Sequence, residues 1–307
     1  MLRLGAAHLR GLGASRDLDA ARAWLHKAAE AGEPRGLIYL AQTHRAPLAR
    51  NPDPDLARSL YLQAHEAGAV DALAHLGFMV ESGEGAEPDA DAAREYFQLA
   101  AAAGSAIAEA KLGHAYLVGE GVAADADKAL ALFRGAADKG HPTGFMGLAY
   151  FYDSGTVVER DEEQALNWYR RAAEAGMLDA QIRLAYAALR SGDLAGQRQA
   201  RAWLARAAAQ SSVQALNDYA WLLATSQFDS VRNGQQAVTL ALQAVSHSRT
   251  PAYLDTLAAA YAETGKFDKA VETQREALAL VPEDDQALAE ELETHLQAFE
   301  AGEPWRE

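Results

Sequence analysis

No cysteine occurs among the 307 residues. That absence excludes disulfide frameworks, thiol nucleophiles and zinc–thiolate centres. It also suits an oxidising compartment, where a lone thiol is a liability. Positive charge is scarce, with 28 Lys and Arg against 43 Asp and Glu and a net charge of −15. A field of that sign repels nucleic acid, whose binding rests on cations at phosphate, and disfavours anionic membrane surfaces. Half the residues are hydrophobic, yet no apolar run approaches the roughly 18 residues of a spanning helix. The opening MLRLGAAHLRGLG is broken by charge and glycine too early for a secretory signal. Only six of the 28 basic residues are lysine, which with the abundant alanine points to a GC-rich bacterial genome.

Motifs of chemistry are as sparse. Gly-x-Gly recurs at Gly11/Gly13, Gly83/Gly85 and Gly119/Gly121, but without the preceding strand and third glycine of a dinucleotide fingerprint. Acidic pairs recur at Asp17/Asp19, Asp53/Asp55, Asp89/Asp91 and Asp125/Asp127, with Asp161/Glu163 following. They lack the closing glutamate of a calcium loop and read as helix N-caps. The nine histidines include no pair one helical turn apart, and no nucleophile motif marks a serine. No metal, cofactor or catalytic residue is expected, and the chain reads as a non-enzyme.

What the sequence does have is a beat of 36 residues. Glycine recurs at Gly32, Gly68, Gly104, Gly140 and Gly176, and leucine at Leu4, Leu40, Leu76, Leu112, Leu148 and Leu184. Alanine keeps step at Ala28, Ala64, Ala100, Ala136, Ala172 and Ala208. Four-residue spacings such as Ala108, Leu112, Tyr116 put one stripe on one helix face, and Gly119 and Gly121 then stop that helix. The second helix turns Ala129, Leu132, Phe133 and Ala136 inward, with Gly113 and Ala136 expected to let the two backbones approach. Neither helix buries its stripe alone, so the units must stack.

The stretches LGHAYLVGEGV and DKALALFRGAADKG resemble a Sel1-like repeat, a relative of the tetratricopeptide repeat. The likeness is strong over 69–176, fair over 1–34 and weak over 35–68. It is degenerate over 177–212, where Ser191 and Ser212 replace the turn and closing glycines. Residues 251–282 resemble an ordinary tetratricopeptide repeat with Gln274 at a position usually aromatic, and 214–247 a divergent one with a longer turn. DDQALAEELETHLQAFEAG reads as a cap with Leu288, Leu292, Leu296 and Phe299 on its inner face. Between Glu283 and Glu307 nine carboxylates face one arginine, which reads as a solvated outer surface. The resemblance implies an all-α fold, a right-handed solenoid of helix–turn–helix repeats. Its parts are a six-unit array over 1–212 with a truncated first unit, two tetratricopeptide-type repeats over 213–282, and an acidic cap over 283–307. Because the first unit begins at Leu4, the chain is expected to derive from a longer protein.

Function in such an array is expected on the inner face, lined by the first helix of each unit. Two residues past the beat leucine, roughly 200° around the helix, lie Gln42, Phe78, His114, Tyr150 and Tyr186, with Glu81, Met146 and Asp153 as helical neighbours. This row is aromatic and varied where the packed stripe is monotonous. It is read either as a partner-binding groove or as rings packed against the adjacent repeat. The expected partner is a protein or peptide, held by a non-catalytic adaptor in a bacterial envelope, secretion, surface-polymer or signalling assembly. The alternatives are a carbohydrate or peptidoglycan binder using the same aromatic row and a cytoplasmic regulatory subunit of an enzyme. A periplasmic or envelope address is favoured over the cytoplasm.

Overall fold

The computed structural model describes residues 1–13 and 15–307. Among the described residues there are seventeen α-helices and no strand, and contacts run chiefly between helices adjacent in the chain. They divide into two compact units, Met1–Trp168 and Tyr169–Glu307.

In the first unit the leading helices are α1 (Leu2–Arg10), α3 (Pro34–Gln42), α5 (Ala72–Ser82), α7 (Ala106–Val118) and α9 (Pro142–Ser154). Their followers are α2 (Leu18–Glu30), α4 (Pro54–Glu66), α6 (Ala90–Ala102), α8 (Ala126–Asp138) and α10 (Glu162–Glu174), which crosses the boundary. Each follower begins 36 residues after the one before, because an aspartate starts it. Asp89 Oδ1 accepts from the amides of Asp91 and Ala92 at 3.1 and 2.9 Å, and Asp17 repeats this geometry. Asp53, Asp125 and Asp161 each accept one amide at 2.9–3.0 Å. Such caps satisfy amides that no helical carbonyl reaches, and each is worth about 1 kcal/mol. Gly119, at φ 77, ends α7 in the left-handed conformation that a side chain disfavours. The periodic glycines and acids are thus helix punctuation.

Packing between leader and follower is set by small residues, at places partly different from those expected. A Cβ on Gly113 would meet the Phe133 ring at 3.1 Å, so this glycine makes room for an aromatic face rather than for the backbone near Ala136. The close backbone approach lies at Gly144, where a Cβ would stand 2.5 Å from the amide nitrogen of Ala137. Alanines and the beat leucines fill the core, with Leu40 and Leu76 at most 2% exposed. Leu4, in the first helix, is instead 49% exposed.

In the second unit the elements are α11 (Leu178–Leu189), α12 (Leu194–Ala208), α13 (Val213–Thr225), α14 (Gly234–His247), α15 (Pro251–Glu263), α16 (Phe267–Ala279) and α17 (Gln286–Glu300). Here the beat slips. Asp193 caps α12 about one helical turn early, its Oδ1 accepting from Gly196 N at 2.7 Å. The left-handed residue expected at Ser212 is Ser211, at φ 61, while Ser212 instead caps α13 by accepting from Ala215 N. The leader therefore starts one residue sooner than the 36-residue step requires. After α17 the chain turns at Gly302, and Gln227 N and Glu307 N donate to Glu307 O and Thr225 O at 2.9 and 2.8 Å. Residues 303–307 thereby form a strap from α17 to the end of α13.

Candidate functional site

The inner-row residues of the first unit have different surroundings. Gln42, at the end of α3, lines a cleft of about 280 Å³ with Arg10, Arg35, Asp71 and His75. Phe78 is half-buried and meets Phe97 edge to face at 4.9 Å, so this ring packs on the follower helix of its own repeat. Glu81 binds Lys111 Nζ at 2.9 Å. His114 is exposed, with Nδ1 3.9 Å from Glu120. Tyr150 is 45% exposed and lies edge-on to Phe151, while Met146 and Asp153 are half-buried on the same helix.

In the second unit Tyr186 opens onto a larger cleft of about 520 Å³ between α11, α13, α15 and α17. Its hydroxyl donates to Asp218 Oδ2 at 2.5 Å and accepts from Gln214 Nε2 at 3.2 Å. Burial, reinforced by the neighbouring carboxylate, pushes the Tyr186 phenol up to about 12. Desolvation likewise raises the Asp218 carboxyl, against the opposing effect of the Tyr186 hydrogen bond. Asn217, Trp221, Asp255 and Glu291 are among the other residues that line it, with Glu307 of the strap.

Beneath the cleft lies a polar knot. His295 of α17, 2% exposed, places Nδ1 2.8 Å from Asp255 Oδ1. Gln274 donates to the same oxygen at 2.7 Å and to the Leu292 carbonyl at 3.0 Å. Burial works against a charge on His295, but Asp255, with Glu291 and Glu307 near, raises its pKa overall. The imidazole is flanked by Trp305 at 4.4 Å and Trp221 at 5.7 Å, and among the described residues no hydroxyl bonds to it. A His–Asp pair walled in this way fixes helices together. Gln274 thus stands where a ring is usual because it bridges Asp255 to α17.

Trp221 and Asp255 were within reach of the sequence pattern. Trp221 follows Tyr186 in the inner row once the step shortens to the 35 residues separating the starts of α11 and α13. Asp255 holds on α15 the place that Met146 holds on α9, counted from each helix start. A row read only at 36 stops one helix too soon. His295 carries no such signal, because α17 has no repeat partner.

Antiparallel helix pairs joined by glycine turns, with inner clefts and a buried structural His–Asp pair, define an all-α repeat solenoid, an interaction-scaffold architecture. The Sel1 repeat profile matches residues 1–33, 36–68, 70–105, 106–141, 145–177 and 178–212, about two thirds of the chain, and the chain belongs to the Sel1 repeat family. Solenoids of this family are generally non-catalytic scaffolds. A protective antigen of uropathogenic Escherichia coli with an SLR fold is 26% identical, with a TM-score of 0.61 over 98% of this chain and 68% of that one. A Sel1 repeat protein of Oxalobacter formigenes is 28% identical, with a TM-score of 0.55 over 68% of this chain and 86% of its own. The immunity protein Pa5087 of Pseudomonas aeruginosa, 19% identical, shares the fold at a TM-score of 0.50 over 67% of this chain and 81% of that one. A comparison with curated protein sequences gives no match.

Proposed function

We propose that the protein is a non-catalytic adaptor whose leading helices hold a protein or peptide partner on their inner faces. The observation that carries this reading is the pair of half-exposed tyrosines, Tyr150 at 45% and Tyr186 at 43%, in helices whose other large apolar side chains are buried or half-buried. Aromatic side chains with one apolar face and one polar tip are the usual anchors of an interface. Along the first unit Gln42, Glu81, His114, Met146 and Asp153 supply polar and soft contacts, and Phe78 packs on Phe97 beneath them. An envelope, secretion or surface-polymer assembly is the setting we assign. The relative described as a protective antigen of uropathogenic Escherichia coli is in line with it.

The test is selection from a phage-displayed peptide library on the full chain, followed by Tyr150→Ala and Tyr186→Ala. The expected result is recovery of related peptides whose affinity falls at least about tenfold in one variant, with an unchanged melting temperature. Peptides that bind both variants as well as the parent would defeat the inner-face reading. Quenching of tryptophan fluorescence by peptidoglycan fragments, without any peptide recovered, would replace it by a saccharide site.

A further inference from the structure

The cleft of the second unit has a chemistry that selects its occupant. Its ionisable lining consists of Asp218, Asp255, Glu291 and Glu307 with the phenol of Tyr186, and neither arginine nor lysine lines it. These acids are unequal. Asp255 is committed to His295 and Gln274, and Glu307 Oε2 accepts from Trp221 Nε1 at 2.7 Å. Asp218 is bound by neutral donors such as the Tyr186 hydroxyl, and among the described residues no arginine or lysine pairs with it. Glu291 is exposed at the rim on α17. A half-buried carboxylate without a cation of its own gains from one that arrives, since interactions there are screened less than at the open surface.

The aromatic lining suits the same guest. Tyr186 and Trp221 belong to the one cleft, and guanidinium and ammonium groups bind aromatic faces as well as carboxylates. Basic chain is already held alongside. Within the strap, Arg306 Nη2 binds Glu263 at 2.6 Å and Nη1 donates to the Ala224 carbonyl at 3.3 Å, while the backbone of Glu307 pairs with Thr225 and Gln227. The unit thus binds an extended, arginine-bearing segment of its own chain beside a cleft that holds none of its own cations.

We infer that the cleft between α11, α13, α15 and α17 binds an extended basic segment of a partner protein, with an arginine or lysine side chain seated against Asp218, Tyr186 and Trp221. This rests on the adaptor reading and adds the sign of the partner and the unit that takes it. A volume of about 520 Å³ accommodates several side chains, so the segment enters as a peptide rather than as a lone ion.

The experiment titrates the full chain into fluorescein-labelled arginine–serine, lysine–serine and glutamate–serine peptides, read by anisotropy at moderate salt. The basic peptides are expected to bind and the acidic one not. Asp218→Asn is expected to weaken basic binding about tenfold. Glu291→Gln, at an exposed position on the rim, is expected to weaken it two- to threefold, with folding of the variant checked by circular dichroism. Asp284→Asn removes the same charge from the outer surface and serves as the control. Equal weakening by Asp284→Asn and by the two cleft variants would reduce the effect to the −15 net charge and overturn the inference. Library peptides that depend on Tyr186 but carry no excess of basic residues would also overturn it, leaving the adaptor reading intact. Library peptides insensitive to both tyrosine variants would instead remove that reading.

Discussion

Single residues decide whether the helices of this array close on each other, and Gly147 is the sharpest case. It precedes the beat leucine Leu148 by one position, in a helix whose Gly144 already touches the preceding backbone. A Cβ at Gly147 would stand 2.2 Å from Cγ of the Phe133 ring, itself 2% exposed and part of the core. The ring cannot retreat freely, because Gly113 receives its other side. Overpacking of this kind costs typically 1–3 kcal/mol, more than alanine gains over glycine in helix propensity. Gly147→Ala is therefore expected to lower the denaturation midpoint, although alanine is the better helix former. The check is a urea titration followed by circular dichroism. A midpoint equal to or above that of the parent would show that the ring has room to move.

Among elements, α17 and the strap behind it combine what the sequence states openly with what it conceals. That a final helix would bury Leu292 and Phe299 is legible from their spacing, and both are 1% exposed. The same rule supplied the 36-residue helix pairs, because caps, stops and core stripes are local and repeat. The Asp255–Gln274–His295 knot is not legible, since it joins three helices through side chains that recur nowhere else. Nor is the strap, which binds by backbone hydrogen bonds that any sequence offers. Within it Trp305 works by packing. Its indole Nε1 is buried without a hydrogen bond, while its ring covers His295. Trp305→Phe should therefore keep the strap in place, and Trp305→Ala should release it. The readout is amide hydrogen exchange at Gln227, whose N–H is held by Glu307 O. Protection should survive in the first variant and fall at least tenfold in the second, by about 1.4 kcal/mol of opening free energy. Equal loss in both would mean that the indole is held by more than its shape.

At the scale of the whole molecule, half-buried His75 and buried His295 are expected to make the units respond to pH in opposite directions. In the first unit, burial and then the charge of Arg45 push His75 down to about 4. Its unfolded value lies near 6.5, so between about 6.5 and 4 the unfolded chain holds a proton that the folded one refuses. Stability is fully present above that range and is lost as pH falls through it, by up to about 3 kcal/mol from this group. In the second unit His295 has the contrary sign, because the Asp255 carboxylate prevails over burial and raises its pKa. The groups facing it are Asp255 on α15, Gln274 on α16, Glu291 on α17 and Glu307 on the strap. The folded unit keeps this proton after the unfolded chain has released it. That contribution is complete below about 6.5 and disappears as pH rises through the raised value. Because contacts in a repeat array are mostly between neighbours, each unit is expected to report its own histidine rather than an average. Hydrogen exchange, corrected for the intrinsic pH dependence of amides, separates the two. Acidification from pH 6.5 should weaken protection in α5 and α6, and His75→Gln should flatten that slope. Alkalinisation should weaken α15 and α17, and His295→Gln should flatten that one while lowering protection throughout, since it strips a buried carboxylate of its partner. Slopes of the same sign in both units would defeat this reading, and a first-unit slope that persists in His75→Gln would pass the response to His44 and His141, whose pKa values burial also lowers.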